Sequence, residues 1–181
     1  MTSSTEMQPS CSPEPAGGKN QKHETAGDAL RARVRGTNIN GQTLLATDFL
    51  NHFNEIVMTL EMLPDMPELL EEAKAWQPKT YQDHFRGSVF TEKDLAIEAY
   101  RHAPAKYRRA LETTIVQISR LIGIAVKRAE TQLAANEIDA ARTDILTACR
   151  LLQALMDHAS AIINGSLSTM DQSEIDVLLE T

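Results

Sequence analysis

Amide and acid side chains one helical turn apart could do chemistry, and Gln153 and Asp157 stand at that spacing. The amide would orient a water and the carboxylate would hold a proton or anchor a cation. Together they would suit removal of phosphate from an aspartate, with the acid gripping a lysine of the phosphorylated protein. Gln117 follows Glu112 by five residues, a poorer geometry for one helix face. Two imidazole–carboxylate pairs also have helical spacing, His52 with Glu55 and Glu98 with His102, and each could offer a metal two ligands. A di-iron bundle needs two Glu-x-x-His pairs and two further carboxylates. No Glu-x-x-His or His-Glu-x-x-His occurs, so no metal and no cofactor is expected. Isolated histidines on polar faces are the plainer account. Cys149 sits in an aliphatic pattern, Gly-x-Ser-x-Gly is missing, and no glycine-rich loop follows a strand. Surface Gln and Asp on a bundle usually serve solvation. Gln153 and Asp157 are therefore weak catalytic candidates, and the chain reads more as an interaction protein than as a stand-alone enzyme.

The elements that must position these residues are helical. Thr47 or Asp48 is expected to cap a helix whose buried face carries Phe49, Phe53, Ile56, Val57 and Leu60. Pro64 stops it, and Asp65 and Pro67 start a second that ends at Trp76, before Pro78. A short turn over 80–85 is broken by Gly87-Ser88, and another helix covers about 92–102. Trp76 is expected in the core, with a second contact surface as the alternative. Two long helices follow. The apolar series of the first is Tyr107, Leu111, Ile115, Ile118, Ile122, Ala125, Ala129 and Leu133. That of the second is Ile138, Ala141, Ile145, Ala148, Leu152, Leu155, Ala159 and Ile162. Steps of three and four give a coiled-coil-like seam. The short break at 134–136 predicts an antiparallel hairpin over about 105–163, capped at Asn164-Gly165. Glu137, Asp139, Arg142, Asp144 and Arg150 read as a solvated face. The fold class is thus all-α, a bundle (47–164) with its shorter helices packed across the hairpin; a homodimer is the other way to cover the seam.

Composition sets the outer limits. The chain has 181 residues and a formal charge of −7. Residues 1–36 hold five basic and four acidic side chains, leaving 13 basic and 21 acidic in the remainder. An acidic body argues against a phosphate-backbone partner, so no nucleic acid is expected. Residues 1–46 lack the apolar content to offset ordering entropy and read as a disordered N-terminal tail. Cys11 and Cys149 do not make a disulfide framework. The N-terminus lacks an apolar run of the secretory type, and no stretch approaches the ~18 apolar residues of a span. No membrane insertion and a cytoplasmic location are the expectations.

The most informative stretch follows the hairpin. Residues 165–170 form a polar linker, and 171–181 have the pattern of a short amphipathic helix. Asp171 and Glu174 have capping-box spacing, Ile175, Leu178 and Leu179 make one apolar stripe, and Asp176 and Glu180 flank it. A helix of about ten residues is marginal in water and folds fully only against a surface. Asp171-Gln172-Ser173-Glu174-Ile175-Asp176-Val177-Leu178-Leu179 resembles the peptide by which the flagellar switch proteins FliM and FliY bind the chemotaxis response regulator CheY. In one-letter code that pattern runs approximately S-Q-D-E-I-D-A-L-L. The layout, helices first and docking peptide last, is similar to that of the CheY phosphatase CheZ. The match covers nine residues of the chain, with Ser and Asp exchanged between the first and third positions. The linker is shorter than the CheZ tether, and the CheZ catalytic stretch, D-F-Q-D-L-T-G-Q, has no counterpart here.

The resemblance implies a chemotaxis or motility accessory protein that binds a CheY-like receiver domain. Asp171, Gln172, Glu174, Ile175, Asp176, Leu178 and Leu179 would make the contact. The alternatives are a structural or assembly bundle whose last helix packs on itself or on a second copy, and a CheZ-like phosphatase.

Overall fold

The computed structural model describes residues 26–167. Residues 1–25 and the expected docking segment 171–181 lie outside that range. The described residues are all-α: seven helices, no strand, and one isolated bridge between Ile39 and Ala46. Helix α1 spans Ala26–Arg33. A turn at Thr47–Leu50 runs into α2, Asn51–Met62, and a second at Pro67–Leu69 runs into α3, Leu70–Ala75. Helices α4 (Tyr81–Gly87) and α5 (Lys93–His102) lead into α6 (Ala105–Ala134) and α7 (Ile138–Ile163).

Helices α6 and α7 pack on each other more extensively than any other pair, with α2 lying against α7 and α3 against α6. Near their connection, Gln132 Nε2 donates to Asp144 Oδ2 at 2.8 Å. At the other end Tyr107 Oη donates to the carbonyl of Gly165 at 3.3 Å. Both helices close in the same way. Asn136 (φ 59°) follows α6, and the amide of Glu137 returns to the carbonyl of Gln132 at 2.8 Å. Gly165 (φ 95°) follows α7, and the amide of Ser166 returns to the carbonyl of Ala161 at 2.9 Å. A left-handed residue after the last turn with this long back-bond satisfies carbonyls the helix leaves unpaired.

Gly165 is needed for two reasons. Its φ disfavours any side chain, and an added Cβ would lie 3.0 Å from Oε1 of Gln42. Gln42 donates to Tyr107 Oη at 2.7 Å, so the displaced amide would also give up that bond. Gly165→Ala is therefore expected to cost about 1–2 kcal/mol, read as a lowered denaturant midpoint at unchanged slope.

The core uses the small residues of the two long helices. Ala125, Ala129, Ala141, Ala148 and Ala159 are all buried, so the backbones come close, and Ile118, Ile122, Ile145 and Leu152 fill the space between. Positions 114 and 121 carry buried side chains, whereas Ile115 and Leu133 are only partly buried. The expected face of α2 is buried throughout, from Phe49 to Leu60. Its expected cap is absent: neither Thr47 nor Asp48 bonds a first-turn amide, because extended Ala46 leads into a tight turn instead. Thr80 does cap α4, accepting from the amide of Asp83 at 3.1 Å.

One expectation gives way, the tail reaching residue 46. Val34, Ile39, Leu44, Leu45 and Ala46 belong to the core, and Leu30 is buried on α1. The loop after α1 can be interior because its polar groups are paired. Asn40 Oδ1 accepts from the amides of Gln42 and Thr43, and the buried Thr43 hydroxyl donates to the carbonyl of Ile163 at 2.6 Å. Tyr81 Oη accepts from the amide of Ala46 at 2.8 Å. The charged face of α7 is solvent-facing, as expected, and part of it is also paired. Arg142 makes a forked pair with Asp65 at 2.6 and 3.2 Å, and this pairing holds the Asp65 carboxyl below the usual carboxylate range. Arg33–Glu98 and Lys74–Glu130, both at 2.8 Å, similarly tie α1 to α5 and α3 to α6.

Candidate functional site

Helix α7 brings Gln153 and Asp157 to the surface together. Gln153 Nε2 donates to Asp157 Oδ1 at 2.9 Å, and both side chains are exposed. They line an open polar groove of about 470 Å³ whose opposite wall is the entry to α2. Asp48, Asn51 and Asn54 face them there, with Asn38 from the loop after α1. The groove is rich in amides and carries two carboxylates. Chemically it can hold ordered water or a cationic side chain; the Gln153 amide must leave Asp157 before it can orient a nucleophile.

The imidazole–carboxylate pairs take other roles. His52 is buried, not on a polar face; its Nε2 lies 2.8 Å from the carbonyl of Gln77, and its ring stacks on Trp76 with centroids 5.0 Å apart. Trp76 Nε1 donates back to the carbonyl of His52 at 3.3 Å. His52 thus pins the stretch between α3 and α4 onto α2, and the far Glu55 carboxylate is 3.9 Å from Nδ1. Trp76 is half-buried, packed on the core by one side. Glu112 accepts from Tyr100 Oη at 2.6 Å, which leaves it bridging α5 and α6 rather than working with Gln117. Among the described residues no group of three His, Cys, Asp or Glu side chains is placed to hold a metal.

Cys149 is buried on the inner side of α7, and burial, with the negative charge of Glu61 adding to it, pushes its thiol up to about 11. Against the ordinary value of 9.0 this leaves roughly a hundredfold less thiolate at pH 8. In a Cys11→Ser background, iodoacetamide at pH 8 is therefore expected to leave native Cys149 unmodified and to react once urea unfolds the chain. The same shift makes stability decline as pH rises from about 9 through 11, because only the unfolded thiol ionises there.

A second surface, which the sequence pattern did not single out, runs along α6. Its first section, about 440 Å³, lies between Tyr81, Tyr100 and the 78–80 stretch on one side and Ile115 and Val116 on the other. Its second, about 480 Å³, continues past Ser119 along Ile122 and Val126, walled by Trp76 and Pro78. The first section is mostly apolar, and Val116 is 67% exposed in it. The signal was available: Val116 and Val126 lie off the seam, where a solvated helix would carry polar side chains.

No protein-family model, no curated protein and no solved structure matches this chain. No described helix is long and apolar enough to cross a membrane. The functional reading therefore rests on the residues themselves.

Proposed function

We propose that this chain is a chemotaxis or motility accessory protein that binds a CheY-like receiver through residues 171–179. The carrying observation is where the bundle stops. Helix α7 ends at Ile163 and Gly165 closes it, so the motif begins six residues beyond a completed helix cap and is not a continuation of α7. The bundle, an antiparallel hairpin of α6 and α7 with α2 and α3 laid across it, then serves as the base from which a short acidic peptide is presented. Ile175, Leu178 and Leu179 supply the apolar contact, and Glu174 and Asp176 meet basic side chains on the receiver. Their gross burial, about 1.5–3 kcal/mol each, is reduced by ordering costs to an affinity on the micromolar scale, as reversible signalling requires. Titrating the full chain and a chain ending at Thr169 against a CheY-type receiver, with and without a phosphoryl mimic, tests this. Binding that is lost on truncation and strengthened by the mimic is expected; equal or absent binding in both overturns the reading.

One observation favours a second reading, a CheZ-like assist to dephosphorylation: Gln153 and Asp157 share one open groove. Faster loss of receiver phosphate that disappears in Gln153→Ala and in Asp157→Ala would establish it. An unchanged rate with the wild-type chain removes it.

A further inference from the structure

The groove along α6 is an unpartnered apolar face within reach of the chain's own acidic segment. We propose that residues 171–181 dock in it as a helix, in cis, running in the same direction as α6. Four observations converge on this occupant.

The first is reach. The Gly165 carbonyl lies against Tyr107 near the start of α6, and the groove begins about one turn further on, at Leu111 and Glu112. Five connecting residues span up to about 17 Å, ample for one turn of about 5.4 Å and a step around the helix.

The second is length. Eleven residues of helix cover about 16 Å, the length of α6 from position 112 to about 122, which spans the first section and enters the second just past Ser119, the α6 residue that lines both.

The third is shape. The first section offers Tyr100, Ile115 and Val116, and the near end of the second offers the open side of Trp76, to a stripe of Ile175, Leu178 and Leu179.

The fourth is charge. The segment carries Asp171, Glu174, Asp176 and Glu180 and no basic residue. Lys79 borders the first section along with Glu112, whose carboxylate accepts from Tyr100, and Lys74 and Lys127 border the second along with Glu130. Lys74 is already paired with Glu71 and Glu130. Lys79 and Lys127 have no acidic partner among the described residues.

Docking in this groove covers the apolar stripe that a partner would have to grip. The segment is then a latch, and any partner must compete with the groove for it. The inference uses no property of the receiver, so it stands or falls apart from the proposed function.

Trp76, the chain's one tryptophan, reports directly on the groove. A synthetic peptide of residues 170–181 is titrated into the full chain and into a chain ending at Thr169, following Trp76 emission. The peptide is expected to blue-shift Trp76 in the shortened chain and to need at least about ten-fold more peptide in the full chain, where the tethered copy competes. Val116→Asp in the shortened chain should abolish the shift; this site is 67% exposed, so folding is preserved. Hydrogen exchange over 112–126 should be slower in the full chain than in the shortened one. The proposal is overturned if the peptide leaves Trp76 unchanged and exchange over 112–126 is the same in both chains. It is equally overturned if slowed exchange appears only at concentrations where light scattering shows two copies, which would make a second chain the occupant.

Discussion

Removing residues 1–46 is expected to unfold the protein, whereas a chain beginning at Ala26 keeps a cooperative melt. The longer cut takes away Val34, Ile39, Leu44 and Leu45, each at most 3% exposed. At about 1.5–3 kcal/mol for each side chain, the loss is about 6–12 kcal/mol, comparable with the whole stability of a typical domain. It also leaves the Ile163 carbonyl and the Tyr81 hydroxyl without their partners from Thr43 and Ala46. A buried group stripped of its partner costs a further 1–3 kcal/mol or so. Far-UV circular dichroism against temperature decides the matter. A sharp transition in the chain starting at Thr47 would show that the loop merely covers the bundle.

The second large effect is functional. Replacing Ile175, Leu178 and Leu179 together with Ala is expected to weaken receiver binding at least a hundredfold while the helical spectrum of the bundle stays intact. The three truncations remove most of the apolar area the peptide can bury, about 3–5 kcal/mol after the methyl groups retained by Ala, and each 1.4 kcal/mol is tenfold. Glu174→Gln and Asp176→Asn should act differently. They should lower the association rate and flatten its salt dependence, since rim charges steer encounter more than they hold the complex. Isothermal titration and stopped-flow mixing separate the two. Unchanged affinity in the triple variant sinks the receiver reading, whatever the charge variants do.

The helices were legible because their signals are local. Phe49 to Leu60 shows one face by spacing alone, Pro64, Pro67, Pro78 and Pro104 bracket the short helices, and Gly165 caps α7 as its position suggested. The stretch 34–46 was not legible. Asn40-Gly41-Gln42-Thr43 has loop composition, and Leu44-Leu45-Ala46 is too short to display a period. Its burial depends on partners 35 and 120 residues away, at Tyr81 and Ile163. His52 went astray for a related reason: its spacing to Glu55 is visible in sequence, but the Trp76 ring and the Gln77 carbonyl that enclose it arrive from the next helix. Gln153 and Asp157 were found as a pair. Their shared groove was not, since Asn38, Asp48 and Asn51 come from the other end of the chain.

The bond from Thr43 to Ile163 has a consequence for how the protein is made. At the ~5–20 residues per second of synthesis, the carbonyl that Thr43 needs is translated about 6–24 s after Thr43 itself. Through that interval Leu44 and Leu45 are on a nascent chain whose α7 does not yet exist. The bond itself cannot form early; it closes in one late step, when the last turn of α7 has left the ribosome. A chain stalled after Thr43 and before Ile163 therefore carries the Thr43 hydroxyl without its native acceptor, and the loop that it anchors waits for the end of α7.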